Sequence, residues 1–209
     1  MGSGLADRER LVRRGKRIEY FTIAWNCLEA AVSVVSGLLA GSVALIGFGL
    51  DSAIEVASGG AVLWRLHHDK DVARRERAER LALRIVGSCF LALAAYIAYE
   101  SLESLITAQP PERSIPGIVI AAASLVVMPL LSRSKRRVAA CIGSAAMAAD
   151  ARQTDFCAYL SAILLAGLLL NALFGFWWAD PAAGLLMAPI IAKEGIDGWR
   201  GKTCCGDCH

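Results

Sequence analysis

Two carboxylates stand one helical turn apart in the middle of an apolar segment, and this pair most constrains what the chain can fold into. The segment runs from about Ser42 to Leu66, close to the roughly 20 residues that a helix needs to cross a bilayer. Asp51 and Glu55 occupy positions i and i+4, so they share one face of a helix. Because a charge at mid-bilayer costs about 2.5–3.5 kcal/mol on insertion scales, the pair indicates a site that binds or exchanges something.

The rest of the chain is typical of a multi-span membrane protein. Of its 209 residues 56% are hydrophobic, and its mean hydropathy is +0.50, too apolar for an ordinary soluble domain. The apolar segments are too long and continuous for the strands of a closed barrel. We therefore predict an all-α membrane protein with six transmembrane helices. Their approximate ranges are 19–39, 42–66, 81–106, 115–131, from between 139 and 149 to 174, and 181–196.

Basic residues set the orientation of these spans. Lys and Arg fill the N-terminus, the connections between spans two and three and between spans four and five, and the end of the chain, whereas Arg113 is the only basic residue in the opposite connections. Since positive charge stays cytoplasmic, both termini are predicted to lie in the cytoplasm and the protein in the plasma membrane. The predicted organisation is a basic N-terminus over 1–18, a transmembrane domain over 19–198 and a Cys-rich cytoplasmic tail over 199–209.

Several function classes lack their sequence signals. The chain has no glycine pattern typical of a nucleotide-binding loop, and no Ser, His and Asp arrangement is suggested within the spans. Four of its seven cysteines lie in or beside apolar segments and three crowd the C-terminus, which favours reduced thiols or metal ligands over disulfides. We predict neither an enzyme nor a nucleic-acid-binding protein.

A second polar cluster lies at the start of span five. Asp150, Gln153 or Thr154, and Cys157 recur at three- and four-residue steps and share a face, whereas Asp155 is rotated away from Asp150. Cys157 should lie deeper than Asp150, near the level of the acidic pair of span two. Two carboxylates with a thiolate from a neighbouring helix predict a divalent-metal site, and zinc accepts both oxygen and sulfur. Asp150 has a second interpretation, as a cap at the start of span five.

Three motifs give the chain a resemblance to a known family. They are Asp51-x-x-x-Glu55 in span two, Ala149-Asp150 in span five and Ala179-Asp180-Pro181 at the start of span six. With its six spans and cytoplasmic termini, the chain resembles the cation diffusion facilitator family over about residues 15–200. The resemblance implies a homodimeric, proton-coupled exporter of zinc or a related divalent cation such as cadmium, iron, manganese, cobalt or nickel.

The resemblance also implies which residues bind the transported ion. The family's site takes an acidic or His-x-x-x-Asp pair from span two, which Asp51 and Glu55 match, and a His-x-x-x-Asp pair from span five. Counted from Ala149-Asp150, Gln153 falls at the position of the histidine and Cys157 at that of the aspartate.

A shift of two residues gives an alternative register for span five. It makes Asp155 the fourth ligand and puts Ala151 at the position of the histidine. We expect the first register, because both of its positions carry a polar group. Gln153 is a poor zinc ligand, so the affinity, metal choice or geometry is expected to differ from the family's usual site. Few residues follow span six, so we expect a divergent relative without the family's C-terminal cytoplasmic domain.

The C-terminal tail carries a dense set of potential soft-metal ligands, namely Cys204, Cys205, Cys208 and His209. We predict that the tail captures metal; the alternatives are a disordered end or cysteines that are lipidated or redox-active beside the membrane. The alternative to an exporter is a non-transporting membrane protein that binds metal as a sensor or as a regulatory subunit.

Overall fold

The computed structural model describes residues 2–67, 72–107 and 111–200. The described residues form six α-helices and no strand, which confirms the predicted all-α fold. The helices are Gly2–Ala40 (α1), Val43–His67 (α2), Val72–Thr107 (α3), Ile115–Ile142 (α4), Ala145–Phe174 (α5) and Ala179–Trp199 (α6).

The described helices are those of a multi-pass membrane protein. Five of them, α1 to α5, are long and apolar enough to cross a membrane. The apolar stretch of α6 lies between Asp180 and Lys193 and is shorter than a full span. Large apolar side chains point outward, with Leu39, Ile106 and Ile115 each more than 70% exposed. The interior holds buried carboxylates instead, which is the distribution expected of a bundle surrounded by lipid.

The helix α4 is longer than the span predicted from the sequence. Its helical conformation continues past Leu131, through the basic run, to Ile142, and ends where Gly143 adopts a left-handed φ of 64°. Ser144 then caps α5 by accepting a hydrogen bond from the backbone N–H of Met147. The interpretation of Asp150 as the cap of α5 is therefore wrong, because the helix starts more than a turn before that residue.

The helix α2 is central in the bundle. It contacts α1, α3, α5 and α6, while α1 also packs on α4, α4 on α5 and α3 on α6. A large apolar core includes Leu45 and Phe48 of α2, on the outer side of Asp51, and extends to Cys157 of α5 and Ile191 of α6. A smaller apolar cluster, with Val62 and Leu66, lies at the predicted cytoplasmic end of α2. Along α2, the buried polar groups therefore form a layer between apolar residues on the outer side and apolar residues on the cytoplasmic side.

Hydrogen bonds join the connections at the predicted outer end of the bundle. Ser42 Oγ donates to Asp180 Oδ1, the Glu112 backbone N–H donates to Ala40 O at 2.7 Å, and Asn171 Nδ2 donates to Pro111 O at 3.0 Å. These bonds tie the loop after α1 to the start of α6, and the loop after α3 to the ends of α1 and α5. The outer ends of the helices are thus held together independently of the polar layer.

A glycine permits the close approach of α1 and α2. A Cβ atom added at Gly49 would lie 2.8 Å from Val34 Cγ2 and 2.9 Å from the Val34 backbone nitrogen. Because backbone cannot move aside as a side chain can, a larger residue there would push the two helices apart. Gly60, on the same helix, has no atom within 4 Å of the corresponding position.

We expect Gly49→Ala to destabilise the protein by about 1–3 kcal/mol, the usual effect of overpacking a tight contact. Gly60→Ala is the matched control and should leave stability unchanged or raise it slightly, because alanine favours a helix over glycine. Unfolding temperatures of the purified variants in detergent measure the difference. Equal temperatures for the two variants would contradict the close contact.

Candidate metal centre

The helix α1 carries a stripe of buried polar side chains that faces the bundle interior. Its members recur at three- and four-residue steps, so they lie on one face. Each is at most 2% exposed: Glu19, Thr22, Asn26, Glu29 and Ser33. The stripe extends about 21 Å along the helix axis at 1.5 Å per residue, so α1 offers polar groups across most of the bilayer core.

Glu29 is the hydrogen-bond centre of this stripe. Its Oε2 accepts hydrogen bonds from Trp25 Nε1 at 2.9 Å and from Ser124 Oγ. Its Oε1 accepts from Ser52 Oγ at 2.7 Å and from Cys157 Sγ at 3.4 Å. The four donors come from α1, α4, α2 and α5, so one carboxylate joins four helices.

The acidic pair of α2 points into the same region. Asp51 and Glu55 are 4% and 5% exposed. Glu55 Oε2 accepts a hydrogen bond from Asn26 Nδ2 at 2.7 Å. Glu55 Oε1 and Asn26 Oδ1 are buried and receive no hydrogen bond from the residues that the structure describes. Asp51 lies within electrostatic range of Glu29 and Glu194, both of them acidic.

Cys157 of α5 completes this group of side chains. Its thiol is fully buried and lies within electrostatic range of Glu29, Asp51 and Glu55. The structure thus puts the acidic pair of α2 within electrostatic range of the cysteine of α5, whose thiol contacts Glu29 of α1. We call these four residues, together with Asn26, the inner cluster.

Asp150 belongs to a different group. Its Oδ2 pairs with Lys135 Nζ, and its Oδ1 accepts from Ser58 Oγ at 3.4 Å. Lys135 is only 1% exposed and also lies 3.3 Å from Glu19 Oε2 and 3.2 Å from Thr154 Oγ1. We call Glu19, Lys135, Asp150 and Thr154 the lysine cluster. Its carboxylates have a cation of their own, unlike Asp51.

Among the remaining sequence candidates, Asp155 and Gln153 lie within the described residues. Asp155 pairs with Arg136 near the surface, where their side chains are 27% and 56% exposed. Gln153 is buried, and its Nε2 receives no partner from the described part of the chain. The tail candidates Cys204, Cys205, Cys208 and His209 lie outside the described residues.

The inner cluster does not form a closed cage in this conformation. Within the described ranges, no three His, Cys, Asp or Glu side chains are arranged so that they could hold a metal ion. Glu29 and Glu55 are each turned toward their own hydrogen-bond donors. Glu55 Oε1 and Asn26 Oδ1 nonetheless offer two buried oxygens that need a positively charged or hydrogen-bonding partner.

Glu29, Asn26 and Lys135 are not among the metal ligands predicted from the sequence. For Glu29 and Asn26 the available signal was the spacing of polar residues along α1, which repeats with the period of a helix face. Lys135 gave no such signal, because it stands in a run of basic residues that is typical of a cytoplasmic connection.

Comparison with known proteins decides the family. A family model of the cation efflux transmembrane domain matches residues 20–198. The chain belongs to the cation efflux family. The resemblance to the cation diffusion facilitators is thereby confirmed, and the match extends over all six helices.

Individual members of the cation efflux family are distant in sequence. A protein of Methanocaldococcus jannaschii described as an uncharacterized transporter is 26% identical over 182 residues, which cover 84% of this chain and 64% of that protein. The cation-efflux pump FieF of Shewanella oneidensis is 30% identical over 117 residues, 56% of this chain and 38% of the pump. The manganese efflux system protein MneS of Bacillus subtilis is 23% identical over 197 residues, 91% of this chain and 68% of that protein. The chain therefore spans less than two thirds of the first two relatives.

We expect Glu29→Ala to lower the stability of the bundle markedly, because three buried donors and the partly buried Trp25 lose their shared acceptor. Each buried donor left unpaired costs about 1–3 kcal/mol. Glu103→Ala is the control, since Glu103 is exposed on α3. The measurement is the unfolding temperature in detergent, followed by tryptophan fluorescence. A Glu29→Ala protein as stable as the control would show that Glu29 does not hold the helices together.

Proposed function

We propose that this protein exports a divalent metal cation, zinc, from the cytoplasm across the plasma membrane in exchange for protons. The observation that carries the proposal is the charge of the inner cluster. Three buried carboxylates, Glu29, Asp51 and Glu55, lie near one buried thiol. Buried charges are stable when a counter-charge accompanies them, and an ion of charge +2 supplies one.

The ligands that we propose come from three helices. Asp51 and Glu55 offer carboxylate oxygens from α2, Cys157 offers sulfur from α5, and Asn26 offers its Oδ1 from α1. The unpaired oxygens of Glu55 and Asn26 support this assignment. Asp150 is neutralised by Lys135 and is not in the proposed set. Gln153 stays a predicted ligand for a conformation in which α5 has turned.

Chemistry favours zinc among the divalent ions. Zinc accepts a mixture of carboxylate oxygen and cysteine sulfur, whereas magnesium and calcium take oxygen ligands. Cadmium shares this preference for sulfur, and manganese, iron, cobalt and nickel are the further candidates. The name of the Bacillus subtilis relative connects that protein with manganese, so the metal has to be tested directly.

Proton exchange follows from the chemistry of the same metal ligands. A metal ion binds thiolate and carboxylate, so binding displaces the protons that these groups carry. Protons that arrive from the outer side would in turn release the ion. Rocking of helices about the layer of buried polar groups would expose the ion to each side in turn. We propose a homodimer on the strength of the family resemblance, and cross-linking in native membranes tests that state.

We expect Asp51→Asn to abolish zinc flux into proteoliposomes and the accompanying proton movement, since the neutral amide is a weak zinc ligand. Asp155→Asn is the matched control on the surface ion pair and should retain wild-type flux. A zinc-sensitive and a pH-sensitive dye inside the vesicles record both ions. Unchanged flux in Asp51→Asn would overturn the site, and zinc binding without flux in the wild-type protein would favour a metal sensor.

We expect Cys157→Asp to change metal choice toward manganese, because an oxygen ligand replaces sulfur. The ratio of zinc to manganese transport should fall by roughly tenfold or more, which corresponds to about 1.4 kcal/mol of relative binding free energy. Cys141→Ser is the control, because Cys141 is exposed on α4. An unchanged ratio in Cys157→Asp would remove the thiol from the ligand set.

A further inference from the structure

The lysine cluster lies directly on the predicted cytoplasmic side of the inner cluster. On α5, Thr154 stands one turn before Cys157, and its hydroxyl is 3.2 Å from Lys135 Nζ. On α2, Ser58 stands one turn beyond Glu55 and donates to Asp150. Lys135 also lies within electrostatic range of Glu55. An ion that moves from the cytoplasm to the inner cluster along this layer passes the ammonium of Lys135.

The ammonium occupies a position surrounded by oxygens. Lys135 Nζ contacts carboxylate oxygens of Glu19 from α1 and Asp150 from α5, and the hydroxyl of Thr154. Glu19 is fully buried, and neither of its oxygens accepts a hydrogen bond of good geometry from the described residues. This carboxylate therefore faces the ammonium of Lys135 and has no other nitrogen or hydroxyl donor among the described residues.

The charges of the lysine cluster do not balance. One ammonium faces the carboxylates of Glu19 and Asp150, so the formal sum is −1 when both are ionised. A divalent ion in the same position would bring the sum to zero. A buried group of charges is most stable when neutralised, so a divalent ion competes with the lysine for these oxygens.

We propose that Glu19 and Asp150 form a second cation site at the cytoplasmic end of the path to the inner cluster, and that this site binds the transported divalent ion. While this end of the path is closed, the ammonium of Lys135 occupies the site. The arriving ion displaces the ammonium, whose long side chain carries it toward the aqueous side. The same movement frees α1 and α5 from α4 and opens the way to Cys157. The inference rests on the proposed function for the identity of the ion.

Zinc binding in a background without the inner site tests the competition. We would measure it with a fluorescent zinc chelator on the purified protein carrying Asp51→Asn and Glu55→Gln, with the tail cysteines Cys204, Cys205 and Cys208 replaced by serine so that the tail does not bind the ion. Adding Lys135→Met should raise zinc affinity by roughly tenfold or more, about 1.4 kcal/mol, and adding Glu19→Gln as well should remove the gain. Arg136→Met, next to Lys135 but paired with Asp155 at the surface, is the matched control and should change nothing. No gain in Lys135→Met, or a gain that survives Glu19→Gln, would overturn the proposal.

Reactivity of Cys157 tests the closure without any metal. In a protein whose other cysteines are replaced by serine, a charged thiol reagent added on the cytoplasmic side should modify Cys157 slowly. Lys135→Met should accelerate the modification several-fold. Lys135→Arg keeps the charge, so Cys157 should react slowly in this control; a general loss of folding would instead accelerate the reaction in both variants. Equal rates for all three proteins would overturn the closure.

The two proposals fail in different ways. The test of closure measures the modification of Cys157 and uses neither zinc nor flux. Its result therefore remains valid if Asp51→Asn leaves transport unchanged. In that outcome the proposed function fails, while faster modification of Cys157 in Lys135→Met still supports closure of the cytoplasmic end of the path by Lys135. Conversely, zinc flux that depends on Asp51, together with a Cys157 modification rate that does not depend on Lys135, retains the exporter and removes the closure by Lys135.

Discussion

Negative charge buried in a lipid-surrounded bundle is the constraint on which the rest of this structure depends. Lipid offers no hydrogen bonds, so every carboxylate buried there needs a donor, a cation or a proton. Glu29 is satisfied by donors from four helices, and Asp150 and Glu19 share the ammonium of Lys135. Asp51 lies within range of the acidic Glu29 and Glu194, and Glu55 keeps one oxygen without a donor among the described residues. Carboxylates with a full set of partners hold the bundle together, whereas carboxylates that lack partners are available for an ion.

Helix packing follows from the same constraint. Asn26 reaches Glu55, and Ser52 reaches Glu29, only because α1 and α2 approach closely. Gly49 permits that approach, since its missing side chain leaves room for the backbone of Val34. Lipid gives no hydrophobic drive for helices to associate, so small residues and interhelical hydrogen bonds supply the attraction. The polar layer is therefore part of the fold as well as the candidate site.

Much of the architecture was accessible from the sequence, and the limits have physical causes. The number of helices, the acidic pair of α2 and the inward face of Cys157 follow from hydropathy and helical spacing, which act locally. The partners of a carboxylate depend on which helices meet. Glu29 has donors nearly one hundred and more than one hundred residues away, on α4 and α5. Lys135 looked like a cytoplasmic charge, because nothing local distinguishes it from the exposed Arg136 beside it.

The two proposed cation sites differ in how readily the bound cation can leave. Lys135 is bonded to the chain, so its ammonium can move away from Glu19 and Asp150 but cannot diffuse from the bundle. An ion at Asp51, Glu55 and Cys157 has no such tether and can be exchanged. A transporter needs its path closed on one side while the ion is released on the other. In the cycle that we propose, a tethered cation next to an exchangeable one would meet this need, because the carboxylates that attract the ion would close over the lysine once the ion has passed.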